Sequence, residues 1–256
     1  MTPDISVELS NGILTVTLDR PDKRNAISNE MYRVLADAVE RAETDSAVRV
    51  LVIRANGEMF TSGNDLGDFA AMSQGRSIEE SHGGRFIRAL GASSCPIVAA
   101  VQGRAVGIGV TMLLHCDYVL LAEGASLTTP FVNLALVPEA GSSVLLTEVL
   151  GHRKAFEMFA LAEPLDAADA VAAGVANHVV PAEELHDRAQ QVAERLAQQP
   201  IGALRATKRL MRDTEMIGRV IEEELEIFGQ RLRTDEAREA FAAFAEKRRP
   251  DFTKFN

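Results

Sequence analysis

Residues 96–122 have the sequence PIVAAVQGRAVGIGVTMLLHCDYVLLA, and this stretch decides the fold class expected for the chain. Two short apolar runs, Ile97–Val101 and Tyr118–Ala122, are typical of strands that are buried on both faces. Between them, Gly107–Leu114 has the length and composition of a buried helix. Strand, loop, helix and strand in this order predict a βαβ unit in an α/β protein.

The sequence before this stretch predicts further strands and a helix. Ile13–Asp19 alternates apolar and polar residues, which is the pattern of a half-buried strand. Ser28 is a candidate N-cap for a helix whose apolar side includes Met31 and Leu35. Val48–Ala55 is a nearly continuous apolar run and predicts a second strand of the buried type.

The sequence after residue 183 is predicted to be helical. A short strand at Gly174–Val180 is followed by three expected helices, at Glu183–Gln199, Ile201–Arg212 and Met216–Lys247. The last helix carries many charges, yet its apolar side must pack against the core or a neighbouring subunit. We therefore divide the chain into a core at residues 1–195 and a C-terminal helical region at residues 196–256.

The composition favours a globular enzyme and disfavours several other classes of protein. The chain has 256 residues, of which 46% are apolar and 25% are charged, as in ordinary globular domains. A net charge of −10 and an aromatic content of 5% disfavour nucleic acid and anionic membranes as partners. No signal peptide is visible, and both cysteines, Cys95 and Cys116, lie in apolar runs. A soluble cytoplasmic protein with reduced thiols is expected.

Several kinds of active site lack their sequence motif here. The five histidines are scattered, and the chain has neither an H-x-x-x-H nor a C-x-x-C pattern, so no metal site is expected. The order of glycines in Gly103–Gly109 is G-x-x-x-G-x-G, whereas dinucleotide-binding turns require G-x-G-x-x-G. An NAD-dependent enzyme is therefore disfavoured, and no cofactor is expected.

Two glycine-containing loops are candidates for binding a carbonyl oxygen. Met59–Leu66 follows a predicted buried strand, and Gly107–Gly109 lies where the predicted buried helix begins. The N–H groups at a helix start have no acceptor inside the helix. Together with those of a second loop, they can stabilise an oxygen that becomes negative during a reaction. Either loop alone is better explained as a tight turn.

Taken together, these loops and their surroundings resemble the crotonase (enoyl-CoA hydratase/isomerase) superfamily over essentially the whole chain. Asp19–Ala26 is similar to the family's early R-P-x-x-x-N-A segment, and Phe60–Leu66 is similar to its F-x-x-G-x-D-[LI] loop. Pro96–Asp117 follows its central P-x-[IV]-A-A-[VI]-x-G-x-x-x-G-x-G…C-D pattern. The match continues at Val137–Gly141, Gly174–Ala176 and Arg248–Phe252.

The resemblance implies an α/β fold built as a crotonase-like spiral of ββα turns, with a C-terminal helical trimerisation region. It implies a homotrimer or a dimer of trimers, and an acyl-CoA thioester whose carbonyl oxygen lies between the backbone N–H groups of Asn64 and Ile108. Further substrate contacts are implied for Lys23, Arg24, Ala26, Ser62, Gly63, Asp65 and Leu66. For the two basic residues, ordinary surface charge is an equally good interpretation. Coenzyme A is then part of the substrate and not a cofactor.

The side chains disfavour simple hydration of a double bond. By the family's spacing, the two glutamates of the hydratases fall at Thr111 and Phe131, and neither residue transfers protons as a carboxylate does. Glu139 instead lies in a segment similar to the one that carries the single catalytic glutamate of peroxisomal-type Δ3,Δ2-enoyl-CoA isomerases. A charged loop residue is usually solvated, but the apolar neighbours of Glu139 predict that it is buried.

The resemblance therefore favours an isomerase that converts a 3-enoyl-CoA to a 2-enoyl-CoA with Glu139 as its base. A ring-opening isomerase of the epoxyphenylacetyl-CoA type is an alternative, and its carboxylate is an aspartate at the corresponding position. A non-catalytic acyl-CoA-binding protein is the alternative from another class. The acyl chain is expected to lie between Phe69–Arg88 and the C-terminal helices.

Overall fold

Two sheets and a set of helices form the protein, whose computed structural model describes residues 4–65, 67 and 81–255. The predicted substrate contact Leu66 and residues 69–80 of the predicted pocket wall lie outside the described residues. In the described part, the strands are β1 (Ile5–Ser10), β2 (Ile13–Leu18), β3 (Val50–Ala55), β4 (Ile97–Val101), β5 (Arg104–Val106), β6 (Tyr118–Ala122), β7 (Ser126–Thr128), β8 (Leu165–Asp166) and β9 (His178–Val180).

The helices alternate with these strands and then continue without strands to the C-terminus. In the described part they are α1 (Asn29–Thr44), α2 (His82–Ala92), α3 (Ile108–Thr111), α4 (Ser142–Phe156), α5 (Ala167–Ala172), α6 (Leu185–Ala197), α7 (Ile201–Met211), α8 (Thr214–Leu232) and α9 (Asp235–Ala245). None of them is long and apolar enough to cross a membrane.

The larger sheet has the strand order β1-β2-β3-β4-β6-β9. Its first pair is antiparallel and the remaining pairs are parallel. β3 and β4 are buried almost throughout, as their continuous apolar runs predicted. The smaller sheet, β5-β7-β8, contains the short strands that directly follow β4 and β6, together with β8, which lies after α4.

Helices cover both faces of the larger sheet. On one face, α1 and α2 pack with the main apolar cluster, and Ser28 caps α1 by accepting the Met31 N–H, as predicted. On the other face, Leu185, Ala189 and Ala193 of α6 pack against β2, β3 and β4. The predicted boundary at residues 195 and 196 falls inside α6, and the division into two regions stays a prediction.

Two predicted helices differ from the structure. Gly107–Leu114 is not one helix, because α3 ends at Thr111 and a 3-10 turn follows at Met112–His115. Met216–Lys247 is two helices, α8 and α9, with Thr234 as the N-cap of the second: its hydroxyl oxygen accepts the Ala237 N–H. The apolar pattern continues across this break, so periodicity alone did not show it.

Candidate active site

Glycines allow the two predicted loops to lie against each other. The Thr61 N–H donates to the Arg104 carbonyl (3.2 Å), and the Val106 N–H donates to the Thr61 carbonyl (3.1 Å). A Cβ atom on Gly63 would lie 2.9 Å from the Val106 carbonyl oxygen, and one on Gly109 would lie 2.4 Å from Thr61 Cγ2. A larger residue at either position would push the loops apart.

The early R-P-x-x-x-N-A segment is fastened to the first of these loops. Arg20 Nη1 donates to Asp65 Oδ2 (2.7 Å) and to the Ala26 carbonyl (3.2 Å). The Ser62 N–H donates to the Arg24 carbonyl (3.0 Å). The structure therefore brings the predicted substrate contacts of the early segment and of the first loop to one place.

The predicted oxygen-binding N–H groups are both available. The Ile27 N–H donates to the Gly63 carbonyl and the Asp65 N–H donates to the Ile27 carbonyl, which turns the N–H of Asn64 away from Ile27. Ile108 is the first residue of α3, so its N–H has no acceptor within the helix. Within residues 4–65, 67 and 81–255, neither of these N–H groups has a hydrogen-bond acceptor.

Glu139 is buried, as its apolar neighbours predicted. It is 4% exposed, and Oε1 accepts a hydrogen bond from the Thr111 hydroxyl (2.5 Å). Burial raises the pKa of Glu139 to about 8; the Thr111 hydrogen bond opposes this rise and the negative charge of Glu224 adds to it. A carboxyl group with a pKa near neutrality is a more effective proton acceptor and donor than an ordinary glutamate.

One cavity contains both Glu139 and Asn64. Its volume is about 570 Å³, and its wall is formed by the start of α2 and by α8, including Ile87, Leu225 and Phe228. The acyl chain was expected between Phe69–Arg88 and the C-terminal helices, and the described residues of this cavity wall include some from both of these regions. Ile108 is not in the described wall of the cavity, and its side chain is fully buried.

The two positions of the hydratase glutamates are occupied as the sequence indicated. Thr111 contacts Glu139 through the hydrogen bond above, and its own side chain is fully buried. Phe131 is also buried, with its ring centroid 6.1 Å from that of Phe159. Neither side chain is an acid; among the described residues of the cavity wall the acidic ones are Asp65 and the buried Glu139.

The two basic residues predicted to contact coenzyme A differ in their surroundings. Both Lys23 and Arg24 are exposed. Arg24 lines a second cavity of about 530 Å³ together with Arg104, whereas Lys23 is not part of the wall described for it. In the described residues, His, Cys, Asp and Glu side chains form no group of three that could hold a metal ion.

Three polar residues near Glu139 were not singled out from the sequence. The Tyr32 hydroxyl donates to Asn64 Oδ1 (2.5 Å), and burial raises the pKa of Tyr32 well above its usual value. Glu224 is 6% exposed and accepts hydrogen bonds at the start of α4. Tyr32 lies on the apolar side of α1 and Glu224 lies in a run of glutamates, so sequence patterns gave no signal for either.

His115, the third of these residues, is held in its neutral form. Burial, followed by the charge of Arg212, lowers the pKa of His115 to about 3. Arg212 Nη2 lies 2.7 Å from Nδ1 and can only donate, so Nδ1 is the acceptor and Nε2 carries the proton. Nε2 then donates to the Ala140 carbonyl (2.7 Å), which fixes the residue that follows Glu139.

Comparison with known proteins agrees with this geometry. The family model described as Enoyl-CoA hydratase/isomerase matches residues 8–255. The chain belongs to the enoyl-CoA hydratase/isomerase family. A crystal structure of an enoyl-CoA hydratase/isomerase from Pseudoalteromonas atlantica T6c is 37% identical and has a TM-score of 0.91, covering 98% of this chain and 100% of that one. The predicted crotonase-like α/β fold is thereby confirmed.

Relatives in this hydratase/isomerase family differ in the reaction they are named for. The 1,2-epoxyphenylacetyl-CoA isomerase of Escherichia coli K12 is 34% identical, over 96% of this chain and 96% of that protein. The 2,3-dehydroadipyl-CoA hydratase of the same strain is 31% identical, over 97% of this chain and 98% of that protein. Enoyl-CoA delta isomerase 2 of Rattus norvegicus is 32% identical, over 95% of this chain and 64% of that protein. The relatives therefore share one family but are named for different reactions.

Proposed function

We propose that the protein is an enoyl-CoA isomerase that moves a double bond of an acyl-CoA thioester from C3=C4 to C2=C3. The observation that carries this proposal is Glu139, the one buried carboxylate among the described residues that line the cavity with Asn64. Thr111 and Phe131 stand where the hydratases have their acids, which leaves no second carboxylate there to activate water. The similarity to a delta isomerase supports the same reaction.

The mechanism uses one base and one oxyanion site. The N–H groups of Asn64 and Ile108 hold the thioester oxygen and stabilise the negative charge that develops on it. Glu139 removes a proton from C2, which gives a dienolate, and returns the proton at C4. The proton that leaves C2 is thus balanced by the one delivered to C4, and no electrons enter or leave the substrate. A reaction of this kind requires no redox cofactor.

Part of the coenzyme A tail is proposed to lie near Arg24. Its guanidinium and that of Arg104 border one cavity, and arginine suits phosphate groups because it offers several N–H donors in a plane. The early segment that carries Arg24 is fastened to the loop that carries Asn64. Binding of the tail and placement of the thioester would therefore use the same rigid unit.

The proposal is tested by offering the purified protein a 3-enoyl-CoA and a 2-enoyl-CoA in parallel. We expect conversion of the 3-enoyl-CoA, and a loss of about 10²–10⁴-fold in kcat for Glu139→Gln, because the base is removed. Glu148→Gln, at an exposed position of α4, is the matched control and should retain activity. Efficient hydration of the 2-enoyl-CoA that survives Glu139→Gln would contradict the proposal.

A ring-opening isomerase is the second candidate, favoured by the 34% identity to 1,2-epoxyphenylacetyl-CoA isomerase. Both reactions use a carboxylate opposite an activated thioester, so Glu139 and the N–H groups fit each of them. The two are separated by kcat/KM for a 3-enoyl-CoA and for 1,2-epoxyphenylacetyl-CoA with the same preparation. Tight acyl-CoA binding without exchange of the α-proton in heavy water would instead indicate a binding protein.

A further inference from the structure

A second carboxylate lies immediately behind the segment that carries Glu139. Glu224, on α8, is 6% exposed, and its Oε2 and Oε1 accept hydrogen bonds from the N–H groups of Gly141 (2.5 Å) and Ser143 (2.9 Å). These N–H groups belong to the start of α4, where the N-cap Gly141 has no side chain that could accept them. Glu224 therefore supplies from another helix the acceptors that α4 itself lacks.

The backbone between Glu139 and α4 is held at two consecutive residues. The carbonyl of Ala140 accepts from His115, and the N–H of Gly141 donates to Glu224. Ala140 and Gly141 both have positive φ angles, +62° and +71°, so the chain turns sharply there. A turn of this kind is maintained only when its surroundings fix it, and the two hydrogen bonds do so.

The groups around Glu139 and Glu224 are neutral or negatively charged, or have their positive charge paired elsewhere. Tyr32 faces Glu139 from α1 as a neutral group, and His115 is neutral as well. Arg88 of α2 forms its ion pair with Glu222, on the exposed side of α8, and Glu223 adds a further negative charge there. Within the described residues, no Lys, Arg or His forms an ion pair with Glu139 or Glu224.

The same helix also forms part of the substrate cavity. Leu225 and Phe228 of α8 line the cavity that contains Glu139. Ile221 and Ile217, about one and two turns before Leu225, pack beside Gly91 of α2 and beside Gly141. Helix α8 thus contacts three parts of the site: the cavity, the segment that follows Glu139, and helix α2.

We propose that Glu224 is a positioning residue for Glu139: it anchors the backbone that carries the base, and it places a second negative charge behind it. This inference rests on the proposed role of Glu139 as the base. The two effects are separable, because the charge governs the pH at which Glu139 loses its proton and the hydrogen bonds govern where its carboxylate lies.

The experiment measures the ionisation of Glu139 directly as well as through activity. Protein labelled with ¹³C at the glutamate carboxyl carbon is titrated by NMR, and the signal absent from Glu139→Gln is assigned to Glu139. In Glu224→Gln we expect this pKa to fall by about one unit, because a nearby like charge is removed. The pH profile of kcat/KM on a 3-enoyl-CoA should move by the same amount, with KM changed less than about twofold, since Glu224 is not in the described wall of the cavity. Glu223→Gln, an exposed neighbour on the same helix, is the matched control and should leave both within about 0.2 unit.

A second variant keeps the proposal testable if Glu224→Gln does not fold. Glu224→Asp retains the charge but shortens the reach, so the pKa of Glu139 should be preserved while kcat falls by about tenfold. An unchanged pKa of Glu139 in Glu224→Gln, or full kcat in Glu224→Asp, would overturn the proposal. The titration needs no turnover, so a protein that lacks isomerase activity but shows the pKa change would contradict the proposed function alone.

Discussion

Glu139 illustrates what burial does to a single acid. The residue is 4% exposed, and within the described part of the chain its carboxyl group accepts one hydrogen bond, from the Thr111 hydroxyl. The folded protein therefore prefers its neutral form, and the pKa rises from 4.5 to about 8. The burial that suits Glu139 to its proposed role as a base also makes its ionised form destabilising to the fold.

Stability should therefore depend on pH through Glu139. Since the folded pKa lies above the unfolded one, the stabilisation by the neutral acid is fully present below pH 4.5 and is lost as the pH rises through 8. We expect Glu139→Gln to raise Tm at pH 9 by on the order of 5–10 °C, and to change it little at pH 5. Calorimetry at both pH values measures this, with Glu148→Gln as control. An equal Tm change at both values would show that Glu139 is not the group responsible.

Some residues of the candidate site could be predicted from the sequence, whereas others are seen only in the structure. The roles of Asn64, Ile108 and Glu139 were predicted from the family resemblance, which could be seen because its motifs are each local in the sequence, and these roles stay predictions. Glu224 could not be predicted, because it lies in the run Glu222–Glu224 and only the packing of α8 decides which of the three glutamates is buried. Tyr32 was hidden for the opposite reason, since an aromatic residue on an apolar helix side usually belongs to the core.

At the level of elements, the candidate active site depends on how closely two loops approach each other. Thr61 pairs with Ala105 as an isolated bridge, and Gly109 leaves no room for a side chain beside Thr61. The N–H groups of Asn64 and Ile108 lie on these two loops, so the spacing between the loops sets the spacing between the donors.

Gly109→Ala should damage activity and stability together. Its Cβ would meet Thr61 Cγ2 at 2.4 Å, and we expect a loss of about 1–3 kcal/mol in the free energy of unfolding. We expect kcat to fall at least tenfold, because displaced oxyanion donors stabilise less charge. Gly218→Ala in α8, with nothing within 4 Å of the new atom, is the control and should be neutral or stabilising by about 0.5–1 kcal/mol. Urea unfolding and steady-state kinetics give both quantities, and equal behaviour of the two variants would refute the packing argument.

Element boundaries show what periodicity can and cannot predict. The buried strands β3, β4 and β6 were predicted because continuous apolar runs of this length have few other solutions. The break between α8 and α9 was not, because the apolar residues keep their spacing on both sides of it and the only local signal is the N-cap Thr234. The six-residue β1 was also missed, since it pairs only with β2 and is half exposed.

At the level of the whole molecule, basic side chains of α7 fasten the C-terminal helices to the core. Arg205 donates to the Ala42 carbonyl (2.7 Å). Lys208 is 6% exposed and binds Asp117 Oδ2 (2.6 Å) and the Cys95 carbonyl (2.8 Å). The helical nature of this region was predictable from the sequence, but these contacts join residues about ninety or more positions apart and were not.

Removal of the Lys208 ammonium should loosen this attachment. Lys208→Met removes the donor to the Cys95 carbonyl and leaves Asp117 Oδ2 with the Ile97 N–H (2.8 Å) but without its ion pair, and we expect a loss of about 1–3 kcal/mol. This expected loss of stability is smaller than that for a fully buried ion pair, because the Asp117 side chain is 31% exposed. Arg209→Met, at the next and exposed position, should change stability by less than about 0.5 kcal/mol. Chemical denaturation of both variants decides this, and an undamaged Lys208→Met would show that the contact contributes nothing net.

Assembly of several chains is expected from the exposed apolar residues as well as from the family resemblance. Phe156, Leu161, Leu210 and Met211 are 60%, 65%, 89% and 80% exposed. Large apolar side chains in such numbers commonly belong to interfaces between subunits. The homotrimer or dimer of trimers stays a prediction, and sedimentation equilibrium should give three or six times the mass of one chain. A monomer at micromolar concentration would refute it.

The position of Glu224 in the chain has a consequence for biosynthesis. The start of α4 emerges from the ribosome well before α8, so for that interval the N–H groups of Gly141 and Ser143 await an acceptor that has not been made. Domains generally complete their folding as units, and contacts between distant segments form slowly. We expect a nascent chain that stops before Thr214 to expose the segment between Glu139 and α4 to chaperones and proteases. Ordering of that segment would then follow the synthesis of α8.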